Sequence, residues 1–213
     1  MLAYFTTDLA IEKTLLDEAL LEAVGPTFNR ITIDSDTSTN DTAIVLANGA
    51  SGAPVVSSRG AAYRVFLDAF RAICRDLALM MIRDGEGVKR VAEVLVKGAR
   101  SSEDALRIGR TIADSPLVKT ALHGGDPNWG RILAAAGRAG VPFDIDAVDI
   151  HIGGVFVCEG GVALAYDEAL AHQAMMADPG LLTIDLHQGE VSESMWMCDL
   201  THAYVDINAH YRT

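Results

Sequence analysis

Cysteine is scarce in this chain and never paired. Cys74, Cys158 and Cys198 are odd in number, far apart and form no CxxC spacing. That usage fits a reducing compartment, the cytoplasm, with each thiol serving as a small buried apolar group. Basic clusters are missing as well. No run of Lys and Arg is longer than Lys89-Arg90, and 29 acidic against 17 basic residues leave a net charge of −12. With no basic face to neutralise phosphates, nucleic-acid binding is excluded. Long apolar runs are absent too: the longest covers residues 77–82, far short of the roughly 20 residues of a membrane helix. The opening MLAYFTTD has neither the basic flank nor the apolar length of a signal peptide. It reads as a strand already in progress.

What is present is a hydrophobic, foldable chain. Half of its 213 residues are hydrophobic and 22% are charged, with a mean hydropathy of +0.21. These values exclude disorder and suggest surface buried against a partner. Apolar periodicity predicts strands over residues 1–7, 28–33, 43–47, 91–96, 116–122, 148–152, 156–157, 182–186 and 195–200. Helices are predicted over residues 11–24, about 60–83, 101–113, 129–138 and 167–176, with Ser101 and Asp104 resembling a capping box. Glu159-Gly160-Gly161 reads as a hairpin turn. The tail THAYVDINAHYRT is ambiguous between helix and strand. No repeat or linker divides residues 1–213, which are read as one unit. The expected class is mixed α/β: α+β mixed sheets with helices, in two or more sheets, because several strands have one polar face.

The densest polar stretch is ITIDSDTSTNDT, residues 31–42, set between two apolar segments. As a calcium loop from Asp34 it would need Gly at its sixth position and Glu at its twelfth. Thr39 and Val45 stand there, so the metal reading fails. Two readings stay open on these residues alone. IDSDTS resembles the first motif of Mg²⁺-dependent aspartyl phosphatases, although no DD or GDxxxD string follows. The other reading is a turn whose side chains bond their own backbone. The six histidines show no HExxH spacing, each reading as structural or solvated. GGDPNWG lacks a GK[ST] or GxGxxG pattern and reads as a tight turn before a helix. No GxSxG is present.

Four stretches in order resemble one family: MLAYFTTD, IDSDTSTNDTAIVLANG, SPLVKTALHGGDPNWGRI and CDLTHAYVDINAHYRT. With RDGEGVKR they make the whole chain similar to the glutamate N-acetyltransferase, or ornithine acetyltransferase, family of arginine biosynthesis. The resemblance implies the β chain of a self-cut precursor, with the fold shared by DmpA-type aminopeptidases and completed by an upstream α chain. It implies an assembly of two α and two β chains. It implies acetyl transfer from N-acetylornithine to glutamate through an acyl-threonine, with acetyl-CoA as a further donor in some members, and no cofactor or metal. The nucleophilic threonine would sit immediately ahead of Met1, so no catalytic residue is assigned within these residues. Glu86, Asn208 and Thr213 match substrate-binding positions. Residues 34–42 are expected to brace the nucleophile. The same-fold alternative is an aminopeptidase, in which water resolves the acyl-enzyme.

Overall fold

The computed structural model describes residues 1–211 and is mixed α/β, as the alternating apolar patterns require. The chain begins with β1 (Leu2–Thr7), α1 (Lys13–Val24), a 3-10 turn (Phe28–Arg30), β2 (Ile31–Thr32), β3 (Thr42–Ala47) and the long α2 (Ala61–Arg83). It continues through β4 (Val91–Ala99), α3 (Ser102–Ala113), α4 (Pro116–Gly124), α5 (Trp129–Gly137), β5 (Asp149–Ile152), β6 (Val155–Glu159) and β7 (Val162–Ala163). Then follow α6 (Glu168–Met175), β8 (Gly180–Asp185), β9 (Val191–Cys198) and α7 (His202–His210). Two compact units result. The first takes residues 1–30 and 36–80, the second residues 31–35 and 81 onward.

In the first unit β1 and β3 pair in parallel, from Leu2↔Thr42 to Thr7↔Ala47. Strand alternation turns Ala3 inward and leaves Leu2 and Tyr4 63% and 65% exposed. The Phe5 ring meets Phe70 edge-on at 4.9 Å. Phe70 belongs to the buried stripe of α2, with Tyr63, Leu67, Cys74 and Ala78 at three- and four-residue spacing. α1 answers with Leu15, Ala19 and Ala23, one residue per turn. Burial pushes the Cys74 thiol up to about 11, so it is an apolar filler and not a nucleophile.

In the second unit the described strands form a sheet in the order β2-β9-β4-β8-β5-β6-β7. β4 is antiparallel to β9 and parallel to β8. Ala92, Val94 and Val96 of β4 alternate inward, joining Leu182, Ile184, Met195 and Met197 from its neighbours. Helices α3 to α6 cover that face through Ile108, Ile112, Val118, Leu122, Ile132 and Ala171. α3 lies unusually close to the sheet at Gly109, where a Cβ would come within 3.0 Å of Met195 Cγ. A smaller cluster joins Ile82, at the end of α2, to Val91 and Cys198, with Ile31, Ile33, Val88 and Trp196 packed around it. Among the described residues no helix is long and apolar enough to cross a membrane.

Most predicted elements appear where the periodicity placed them. Ser101 Oγ accepts from the Asp104 amide at 3.1 Å, the expected cap of α3, and Glu159-Gly160-Gly161 turns β6 into β7. Two expectations are corrected. The predicted strand over residues 116–122 is helix α4, because Val118, Ala121 and Leu122 share a helical face and Pro116 occupies a first-turn position that suits its missing N–H. The predicted strand over residues 28–33 is a 3-10 turn and only two strand residues. There Thr27 Oγ1 donates to the Ala23 carbonyl and Arg30 Nε to that of Gly25, which keeps the chain coiled past α1. Residues 202–210 of the ambiguous tail form helix α7.

Ile112 is fully buried under the sheet. Ile112→Ala should cost about 2–4 kcal/mol and Ile112→Val about 1 kcal/mol, in that order, as shifts in the urea midpoint.

Candidate substrate-binding site

The polar chemistry of the second unit gathers where loops meet the start of α7. The first is the turn after α2, Asp84-Gly85-Glu86-Gly87. Gly87 holds φ +70°, and a Cβ there would stand 2.7 Å from the Tyr204 nitrogen and 2.8 Å from Ala203 Cβ. Only glycine lets this turn lie so close to α7. Thr201 exploits the approach: its hydroxyl donates to the Gly87 carbonyl at 2.8 Å and accepts from the Tyr204 amide at 3.2 Å, capping α7.

α7 buries no side chain of its own. It is fastened along one stripe, residues 201, 204 and 208, at the three- and four-residue spacing of a helix face. Tyr204 donates its hydroxyl to Asp34 Oδ2 at 3.0 Å. Asn208 Nδ2 donates to Glu86 Oε2 at 2.6 Å and to the Tyr204 carbonyl at 3.0 Å. The structure therefore brings Glu86 and Asn208 together, both exposed. Glu86 Oε1 and Asn208 Oδ1 have no partner among the described residues. A carboxylate and an amide oxygen, side by side and open, form an acceptor pair suited to an ammonium group, which carries three N–H donors. Thr213 lies outside the described residues.

Asp199 secures the whole arrangement. Its side chain has no solvent exposure, yet it accepts from the Lys89 amide at 2.9 Å, the Arg90 amide at 3.1 Å, and pairs with His123 Nδ1 at 2.9 Å. The Arg90 guanidinium in turn donates to the His123 carbonyl at 2.8 Å. Lys119, also buried, donates to the Cys198 carbonyl at 2.5 Å. Burial raises the Cys198 thiol above its ordinary value, against the lowering pull of Lys119, so it stays protonated. His123 and His202 stand edge to face at 6.4 Å. The sequence reading left Asp199, Lys119 and His123 without a role. The only available signal was that KTALHGGD, RDGEGVKR and CDLTHAY were three of the stretches carrying the family resemblance.

The polar stretch of residues 31–42 is divided between the units. Residues 31–35 belong to the second, where Asp34 receives Tyr204. Residues 36–42 belong to the first and largely bond themselves. Ser38 Oγ accepts from the Asn40 amide at 3.1 Å, and Thr42 Oγ1 donates to the Asn40 carbonyl at 2.9 Å. Asp41 reaches outward, accepting from the Met1 nitrogen at 2.5 Å. GGDPNWG is the tight turn expected. Gly125 takes φ +68° under His172, and Asn128 Oδ1 caps α5 by accepting from the Arg131 amide at 3.1 Å.

A family model described as "ArgJ family" matches residues 1–213. The chain is 46% identical over 213 residues to the "Arginine biosynthesis bifunctional protein ArgJ" of Symbiobacterium thermophilum, covering 100% of this chain and 53% of that protein. It is 43% identical over 222 residues to the "Glutamate N-acetyltransferase" of Methanocaldococcus jannaschii, covering 100% and 54%. The crystal structure of the arginine biosynthesis bifunctional protein argJ from Bacillus halodurans superposes with a TM-score of 0.93 at 39% identity, over 99% of this chain and 100% of that one. The mixed α/β fold is thus shared with that structure. The chain spans about half the length of the curated relatives it matches.

Asp199→Ala would leave two backbone N–H groups and the His123 ring without their acceptor. It should lower stability by about 2–4 kcal/mol, read as a drop in the urea midpoint, whereas Asp199→Asn, which keeps an acceptor, should cost less.

Proposed function

The chain belongs to the ArgJ family, and from that premise we propose that residues 1–213 form, as one unit, the β chain of a self-processed glutamate N-acetyltransferase. The α chain of the same precursor supplies the other half, and two copies of each assemble together. Support comes from the half-length match to relatives and from the first unit itself. Parallel strands are ordinarily covered on both faces and a two-stranded sheet is marginal alone. Yet Leu2 and Tyr4 of β1 and Leu46 of β3, at 60% for the last, stand open on one face of that pair. The α chain is the occupant we assign to it.

The reaction moves acetyl from N-acetylornithine to glutamate in two halves. The hydroxyl of the threonine ahead of Met1 attacks the acetyl carbonyl. Its own α-amine, with a pKa of about 8, takes the proton and returns it to the departing ornithine amine. Glutamate then attacks the acyl-threonine, and the threonine oxygen leaves with a proton. Backbone or side-chain donors of the α chain stabilise each tetrahedral oxyanion. No metal or cofactor enters these steps. In this reading Glu86 and Asn208 take the free ammonium of the substrate, and Thr213 supplies a further polar contact. We place the enzyme in the cytoplasm, in keeping with three free, buried cysteines.

The observation that carries the reading is the Glu86–Asn208 pair, joined at 2.6 Å, whose other two oxygens have no partner among the described residues. It is tested in the full-length protein by following ornithine and N-acetylglutamate. Glu86→Ala, losing a charge-assisted bond, should raise KM for N-acetylornithine on the order of 10–100-fold with a smaller change in kcat. An unchanged KM removes Glu86 from the site. Release of acetate in place of N-acetylglutamate would favour the aminopeptidase-like reading.

A further inference from the structure

We propose that Asp41 is a positioning residue for the nucleophile, acting through the peptide that joins it to Met1. The inference rests on the reading that a threonine precedes Met1 and on the geometry of the first unit. The β1–β3 register pairs Leu2 with Thr42, and the Thr42 amide donates to the Met1 carbonyl at 2.9 Å. The ladder therefore holds Met1 beside Asp41. There Asp41 Oδ1 accepts from the Met1 nitrogen at 2.5 Å while Oδ2 accepts from the Ser38 amide at 3.3 Å. One carboxylate thus ties the backbone nitrogen just ahead of β1 to the turn that precedes β3.

That nitrogen keeps one N–H when a residue is joined ahead of it, so the donor persists in the precursor and in the mature chain. The peptide unit is planar. Holding its N–H fixes the plane relative to β1, which sets the φ torsion of Met1 and places the Cα of the residue before it. The hydroxyl and the α-amine of that residue are both carried by that Cα, so their point of attachment is held beside Asp41. The register continued one step further sets the same residue opposite Asn40. The side-chain amide of Asn40 is exposed and has no partner among the described residues. The bond from Met1 to Asp41 lies outside the Glu86–Asn208 pair, so its loss is expected in the rate and not in substrate affinity.

The experiment uses the full-length precursor carrying Asp41→Ala or Asp41→Asn. Asparagine keeps an oxygen that can accept the same N–H; alanine does not. Asp41→Ala should slow self-cleavage and lower kcat on the order of 10–100-fold, with KM for N-acetylornithine held within about twofold and the thermal midpoint little changed. Asp41→Asn should restore most of both rates. Asp41→Leu, similar in shape with no acceptor, reads the same bond if the alanine chain fails to fold. Wild-type cleavage and kcat in Asp41→Ala or Asp41→Leu would overturn the proposal, and so would equal losses in the alanine and asparagine variants. Replacing the preceding threonine by alanine separates the two claims. If that chain still transfers acetyl, the nucleophile reading falls, whatever Asp41 does.

Discussion

A carboxyl group with no solvent exposure has to find donors for its oxygens within the fold, and Asp199 is where this constraint governs the second unit. Its donors come from two other places in the chain: the amides of residues 89 and 90, just before β4, and the imidazole of His123, at the end of α4. Satisfying one buried group therefore fixes three segments together. The residues immediately around it are drawn into the same arrangement. Cys198 receives Lys119 through its carbonyl, and Thr201 reaches Gly87. Apolar packing places the helices over the sheet, but it is this polar junction that sets where the turn bearing Glu86 lies relative to α7.

The two kinds of force divide the labour cleanly. Under α3 to α6 the contacts are apolar, as Ile108, Ile112, Leu182 and Ile184 show. Such contacts tolerate small shifts because they have no direction. Along α7 there is no buried side chain at all, and position depends on hydrogen bonds, which do have direction. The Gly87 turn is what permits this. Any side chain there would push α7 away from the carbonyl that Thr201 needs. A site built on directional contacts at the edge of a rigid sheet is held to a definite geometry without being closed to solvent.

This division also explains what was legible in the sequence. Alternation and helical stripes announced α2, α3, β4, β8 and the β6–β7 turn, because burial imposes those periods directly. Residues 116–122 misled because an apolar run with one lysine has no clear alternation, and Lys119 is buried on a helix rather than turned outward from a strand. The acceptor Asp199 could not be seen, since nothing local distinguishes a buried aspartate from a solvated one; its partners lie far away in sequence. Glu86 and Asn208 were visible only through family resemblance, yet they meet in space across 122 residues. In the polar stretch of residues 31–42 the turn reading was sound for the side chains of Ser38, Thr42 and, through Oδ2, Asp41. It missed the bonds of Asp34 to Tyr204 and of Asp41 to Met1, which lie outside the stretch.

The use of Asn208 for two tasks has a consequence for α7. A helix of nine residues is marginal by itself, so the bond from Asn208 to Glu86 is part of what keeps it in place. An ammonium group received by Glu86 Oε1 and Asn208 Oδ1 would engage the oxygens that the existing Nδ2–Oε2 bond leaves free. Binding would then bridge the same two residues a second time instead of prising them apart. Charge would run in the same direction: a carboxylate and an amide oxygen would both accept from a cation placed between them. In the proposed reading substrate occupancy and helix docking would be additive, and α7, which buries no side chain, would gain order when an ammonium group is bound.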